Sequence, residues 1–398
     1  MRVGQHPRMV GQHKTEWWVN MEQNLQFMTL SPTPLGYIKQ FDSVRAIAVI
    51  LVIIAHWFPG GISSDFSFGA IGVDIFFSLS GFLITRILIA ERLQFQNKNN
   101  KNTRLNVIKN FMIRRSLRIF PIYYLLLVLL IVFKDAFPNP VSLDWAWYFF
   151  YLQNILFHIN QSWPGGKLSH LWSLAVEEQF YLLWPWIILF LPLKWLLKAI
   201  ILFFLIGIIS VNFSSFFGTS SGTDLLTTSC MQAFTAGGIV AYFHIQKENI
   251  FYRFKNYFII SGITAFVYLV FVLFKLSPSF IDIRTNISIV MIGLLTGIIY
   301  NKKRFLFVLI LENRILISIG KISYGVYLFH NFVPTLLNAF LHWLEKKSIY
   351  INILVYEDDL CNQNNLFYAF SSLILLFICY LSFYFFERPI NKLKINFL

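Results

Sequence analysis

The chain has 398 residues, of which 57% are hydrophobic and 18% aromatic but only 13% charged, roughly half the charged share of a soluble domain. Forty-four Phe and eleven Trp cannot all hide in a water-soluble core of this size, and apolar runs of roughly 17 to 25 residues recur along almost the whole length, each long enough to span a hydrocarbon core of about 30 Å. These features exclude a secreted disulfide scaffold, a soluble nucleotide-binding enzyme and a disordered regulator, and they predict an all-α polytopic membrane helix bundle.

Residues 1–36 read as an irregular cytoplasmic tail without the apolar core of a signal peptide, and either Met21 or Met28 would serve as a start. A single membrane domain is expected over 37–390, with 391–398 a cytoplasmic tail. Spans are predicted near 41–58, 69–90, 119–137, 171–191, 198–213, 225–245, 257–275, 284–301, 315–341 and 366–386. The stretch 142–158 is short, aromatic and interrupted by Asp144 and Gln153. If it does not cross, there are ten spans, both termini share a side, and 25 of the 33 Lys and Arg residues face that side. If it crosses, the basic group Lys302, Lys303 and Arg304 falls outside, against the positive-inside tendency. The ten-span arrangement is therefore expected, with 142–158 re-entrant or lying on the surface. The net charge of +14 is explained by these loops, and no nucleic-acid partner is expected. Cys230, Cys361 and Cys379 show no metal-ligand or CxxC spacing, and Cys230 and Cys379 read as structural thiols.

Ionisable groups inside spans are costly and usually face a bundle interior or a wet cavity. On the first span Arg45 and His56 are separated by about three helical turns, which leaves them on one stripe, roughly 16.5 Å apart along the axis. A positive-inside flank and an interfacial histidine beside Trp57 would explain the same pair. On the second span Asp74, Ser78, Gly81 and Thr85 form a stripe of small and polar residues, a helix-packing pattern, although packing needs no carboxylate. In RRSLRIFPIYY, Arg114, Arg115 and Arg118 share a helix face. Arg114 reads as an anchor, whereas Arg115 and Arg118 suit bidentate phosphate binding. In HLWSLAVEEQFYLLWP, Ser173, Glu177 and Tyr181 share one face, so Glu177 is expected to be the buried carboxylate and Glu178 to reach the interface. His330 in ISYGVYLFHNF reads as a satisfied core histidine.

Taken together, DSVRAIAVILVIIAHWF, GVDIFFSLSGFLITRIL, RRSLRIFPIYYL, LWSLAVEEQFYLLWP, ISYGVYLFHNF and the terminal FYFFERP, spread over about 37–389, resemble the acyltransferase-3 family of integral-membrane sugar O-acyltransferases. The resemblance maps Arg45 and His56 onto its Arg-x10-His pair, Arg115 and Arg118 onto its Arg-x-x-Arg pair, and Glu177 onto its S-L-x-x-E motif. It implies transfer of an acyl group, by default acetyl, from cytoplasmic acyl-coenzyme A to a hydroxyl of a cell-surface or lipid-linked glycan. Localisation in the bacterial cytoplasmic membrane follows, with no permanently bound cofactor and no metal. With the chain ending at Leu398, a stand-alone member without an esterase-like domain is expected. Within this scheme Arg45, Arg115 and Arg118 hold the coenzyme, His56 is general base or transient acyl carrier, and Glu177 or Asp74 orients its ring. The rivals are a flippase or transporter of a lipid-linked sugar, which predicts an internal repeat that the sequence does not display, a glycan polymerase or ligase, and an acyltransferase for lipids or proteins centred on His330.

Overall fold

The computed structural model describes residues 36–58, 67–94, 103–132, 145–162, 166–216, 225–276, 281–300, 309–346 and 365–394. The 1–35 portion of the tail, the Asn/Lys-rich tract at 96–102, the 301–308 segment and Cys361 lie outside these residues. The described residues are helical throughout and contain no strand. Seven of the helices are long and apolar enough to cross a membrane, among them α1 (Gln40–Trp57), α2 (Phe68–Gln94) and α3 (Arg104–Val132). The others are α7 (Leu193–Phe216), α9 (Glu248–Leu273), α10 (Ile283–Tyr300) and the run beginning with α14 (Asn365–Ser382). Two more predicted spans appear as unbroken helices, α6 (Trp172–Phe190) and α8 (Thr227–Gln246). Their Glu, Gln and Thr residues lower their hydropathy, and both are lined with buried residues.

Helix α2 is the centre of the bundle, packing against α1, α6, α8 and α10, and 72% of its apolar window is buried against 22% for α7 and for α9. The small-residue stripe is the reason it can sit there. A Cβ on Gly81 would lie 1.9 Å from the Phe234 carbonyl oxygen, and one on Gly237 would lie 2.0 Å from that of Ser78. The α2–α8 crossing therefore brings backbone against backbone, as in other membrane helix pairs with small residues at the seam. The Trp184 indole N–H donates to Thr85 Oγ1 at 2.7 Å and ties α6 to the same helix.

The doubtful aromatic stretch does not form a span. It contains two short helices, α4 (Trp145–Phe149) and α5 (Gln153–Asn160), broken at Tyr151, whose φ is 55°. Buried Gln153 donates to the Leu171 carbonyl at 2.7 Å, and Asn154 donates to that of Leu225 at 3.1 Å. Polar side chains thus hold the segment inward, while residues 142–144 lie outside the described residues.

The predicted span 315–341 is also broken, which corrects the sequence reading. It consists of α11 (Arg314–Lys321), α12 (Ser323–Phe329) and α13 (Val333–Lys346). The second break has a local cause. Pro334 has no backbone N–H, so the His330 carbonyl lacks its helical donor, and the Trp57 indole supplies one at 2.9 Å. Cys230 and Cys379 are buried free thiols, as expected for structural positions.

Candidate active site

A cavity opens among α1, α2, α3, α6 and α12, and four of the six candidate residues line it: Arg45, Arg115, Arg118 and Glu177. The three arginines differ in what holds them. Arg45 donates from Nη1 to Asp42 Oδ1 at 2.6 Å, one turn earlier on α1, and Asp42 also accepts from the Tyr37 hydroxyl. Arg115 lies over aromatic faces instead, with its guanidinium carbon 5.2 Å from the Tyr181 ring centre and 5.5 Å from that of Phe111. Among the described residues neither Arg115 nor Arg118 takes part in a salt bridge. Two guanidinium groups facing a cavity without a paired carboxylate make a site for an anion.

Ser173, Glu177 and Tyr181 all line this cavity, as their shared helix face predicts. Glu177 accepts from Ser80 Oγ at 2.5 Å and from the Tyr181 hydroxyl. Its carboxylate thereby fixes the ring that carries Arg115. The adjacent Glu178 does not reach an interface: it is buried, and its Oε1 has no hydrogen-bond partner among the described residues. The segment at 145–160, packed against α6, covers the side on which an interfacial position was expected.

Asp74 does not line the cavity. It forms an ion pair with Arg284 on α10, with Nε 2.9 Å from Oδ1 and 3.2 Å from Oδ2, and both residues are buried. The pair links α2 to α10. Replacing Asp74 by Ala removes one carboxylate from beside a buried guanidinium and is expected to cost about 3 kcal/mol. Replacing both partners together, Asp74→Leu with Arg284→Met, should recover most of that loss in a thermal-unfolding measurement of detergent-solubilised protein.

His56 lies on the same helix as Arg45 but toward its other end, and its ring is exposed. Glu177 and Asp74 do not hydrogen-bond to it. Its Nδ1 is 2.8 Å from the Val52 carbonyl oxygen, a contact that puts the ring proton on Nδ1 and the lone pair on Nε2. The orienting group is thus a backbone carbonyl of its own helix. Two further histidines surround it. The ring centres of His56 and His330 are 4.8 Å apart, those of His170 and His330 4.8 Å, and those of His56 and His170 6.3 Å. His170 sits on the 3-10 turn Gly166–Leu171 that leads into α6, where burial, with His56 adding to it, pushes its pKa down to about 3. Among the described residues no group of three or more His, Cys, Asp or Glu is arranged to hold a metal ion.

The histidine cluster adjoins the cavity through Tyr327, which lines it. The Tyr327 hydroxyl shares a 2.5 Å hydrogen bond with Ser173 Oγ and donates to the His170 carbonyl at 2.8 Å. Arginines at one end and imidazoles at the other are therefore joined by hydroxyl-bearing side chains. His170 was passed over in the sequence because its neighbours Trp172, Ser173 and Glu177 dominate the motif. One signal did exist: in a ten-span arrangement His56, near the end of 41–58, and His170, just before 171–191, fall on the same side of the membrane.

The family model for the acyltransferase domain of the acyltransferase-3 family matches residues 38–384. A peptidoglycan O-acetyltransferase of Listeria monocytogenes is 40% identical over 175 residues, covering 40% of this chain and 25% of that protein. An O-acetyltransferase of Staphylococcus aureus is 30% identical over 335 residues, covering 76% of this chain and 52% of that protein. The chain thus spans from a quarter to about half the length of these relatives. No solved structure matches it.

Proposed function

Because this chain belongs to the acyltransferase-3 family, we propose that it is a membrane O-acetyltransferase, taking an acetyl group from acetyl-coenzyme A at the arginine end of the cavity and delivering it to a glycan hydroxyl at the histidine end. The observation that carries this reading is a cavity that holds Arg115 and Arg118, neither in a salt bridge among the described residues, and that reaches Tyr327 beside the imidazoles. The names of the two relatives support acetyl as the group moved, and the Listeria protein's name supports peptidoglycan as the acceptor to test first.

In this mechanism Arg115 and Arg118, with Arg45 behind them, hold the phosphates of the coenzyme. Glu177 acts indirectly, keeping Tyr181 beneath Arg115. The acceptor oxygen attacks the thioester carbonyl carbon, forming the ester C–O bond as the C–S bond breaks. The hydroxyl proton passes to His56 Nε2 and is handed on through water to the departing coenzyme thiolate, so that the imidazole ends neutral. A neutral imidazole with Nδ1 tied to a carbonyl is suited to this role, its ordinary pKa lying close to working pH. The arginine end faces the cytoplasm in this reading, where acyl-coenzyme A is available, and the protein resides in the bacterial cytoplasmic membrane.

Proton NMR of purified surface glycan, from cells with and without the gene, tests the function. The O-acetyl signal should disappear on deletion and return with the wild-type gene. An unchanged acetyl signal accompanied by altered glycan length or amount would instead favour a flippase or polymerase.

A further inference from the structure

The second and third histidines are not explained by packing. His330 is fully buried, yet only Nδ1 is satisfied, 2.7 Å from the Tyr327 carbonyl oxygen, while Nε2 has no partner among the described residues. His170 is similar in part: Nδ1 lies 3.0 Å from the Lys167 carbonyl oxygen and 3.0 Å from Asn331 Nδ2, the Leu328 backbone is also close to the ring, and Nε2 has no well-aligned hydrogen bond among the described residues. An unpaired buried acceptor is costly, and a Leu or Phe would fill either space without that cost.

The bonds at Nδ1 also fix where the protons are. In His56 and His330 the hydrogen bond at Nδ1 is to a backbone carbonyl oxygen, so each bears a proton there and a lone pair at Nε2. The two rings meet edge to face, with an interplanar angle of 75°, and His170 closes the triangle at 70° to His330. Their placement is fixed from both sides. The Trp57 indole holds the His330 carbonyl, and Asn331 bridges to the turn that carries His170. The other titratable or charged groups facing the cluster are Lys167 on that turn, Tyr327 on α12 and Tyr368 on α14, whose ring stacks on Trp57. None of these is a carboxylate. The one charged group among them is the Lys167 ammonium.

We propose that His330, backed by His170, is a positioning residue for acyl transfer: it holds the His56 ring and stabilises the imidazolium that forms when His56 takes the acceptor's proton. An aromatic face within about 6 Å attracts a cation, and His330 offers its imidazole 4.8 Å from the His56 ring in a cluster without a carboxylate. The proposal deepens the reading of His56 as the base and rests on it.

The test is the pH profile of kcat/KM for acetyl transfer from radiolabelled acetyl-coenzyme A to purified peptidoglycan strands, measured on the full-length protein in proteoliposomes. Its acid limb reports the pKa of the base in the free enzyme. His330 raises the proton affinity of His56, so His330→Leu should move that limb to lower pH by roughly half a unit or more and lower the plateau about tenfold. His330→Gln, which restores an acceptor oxygen, should move it less. The position of a limb does not depend on how much of the enzyme is folded. If His330→Leu yields no protein, His330→Gln and His170→Leu are read in the same way. Limbs coincident with wild type in these variants, with His56→Ala inactive, would overturn this proposal and leave the base in place. Transfer that survives His56→Ala would overturn both.

Discussion

Replacement of His56 by Ala is expected to reduce acetyl transfer by about a thousandfold, within the 100- to 10,000-fold range typical of a lost general base, with no change in the amount of protein in the membrane. The second half of that expectation follows from geometry. His56 is exposed, and its bond to Val52 is a side-chain bond to a backbone carbonyl of its own helix. Losing the ring opens no core cavity. The neighbours that lock α1, Trp57 against Tyr368 and Ser43 on the Leu311 carbonyl, remain in place. Rates in proteoliposomes, normalised to immunoblotted protein, check both halves. Undiminished transfer in the variant would remove His56 from the chemistry. A base and an acyl carrier give the same loss. Acid quenching of wild-type enzyme during turnover separates them, because a carrier retains labelled acetyl on the protein and a base does not.

The second large effect is expected at the opposite end. Arg115→Ala and Arg118→Ala should each raise the KM for acetyl-coenzyme A by roughly 10- to 100-fold, the equivalent of about 1.5–3 kcal/mol for a hydrogen bond to a charged group, while kcat changes much less. Substitution by Lys should rescue poorly, because an ammonium cannot reproduce the planar fork or, at Arg115, its place over Tyr181 and Phe111. Arg45→Ala should be milder, since Asp42 already occupies one edge of its guanidinium. Initial-rate kinetics over a range of donor concentrations decide the matter. A fall in kcat at unchanged KM would place the arginines in the transfer step instead of in donor binding.

The features legible in the sequence were those set by short-range periodicity. The face shared by Ser173, Glu177 and Tyr181 is a property of one helix, and all three residues line the cavity. The small-residue seam on α2 is likewise local, and it meets α8 as such seams do. Arg45, Arg115 and Arg118 were grouped by likeness to family motifs and do come together in space. What periodicity could not reveal was partnership across the bundle. Asp74 finds Arg284, and His56 finds His170 and His330 through contacts spanning more than a hundred residues of chain. The break at His330 was readable in principle, since Pro334 removes the donor that His330 would need, but the compensating indole of Trp57 lies 273 residues earlier. The expected bond from Glu177 to His56 failed for a related reason: Ser80 and Tyr181 are nearer donors to that carboxylate.

The Asp74–Arg284 pair sets a schedule for making the protein. A ribosome adding about 5–20 residues per second needs roughly 10–40 s to travel the 210 residues between the two. Throughout that interval α2, the helix around which the bundle is built, is in or beside the membrane without Arg284. The link between α2 and α10 therefore closes only when the eighth predicted span arrives, and early quality-control proteolysis should fall most heavily on chains truncated between them.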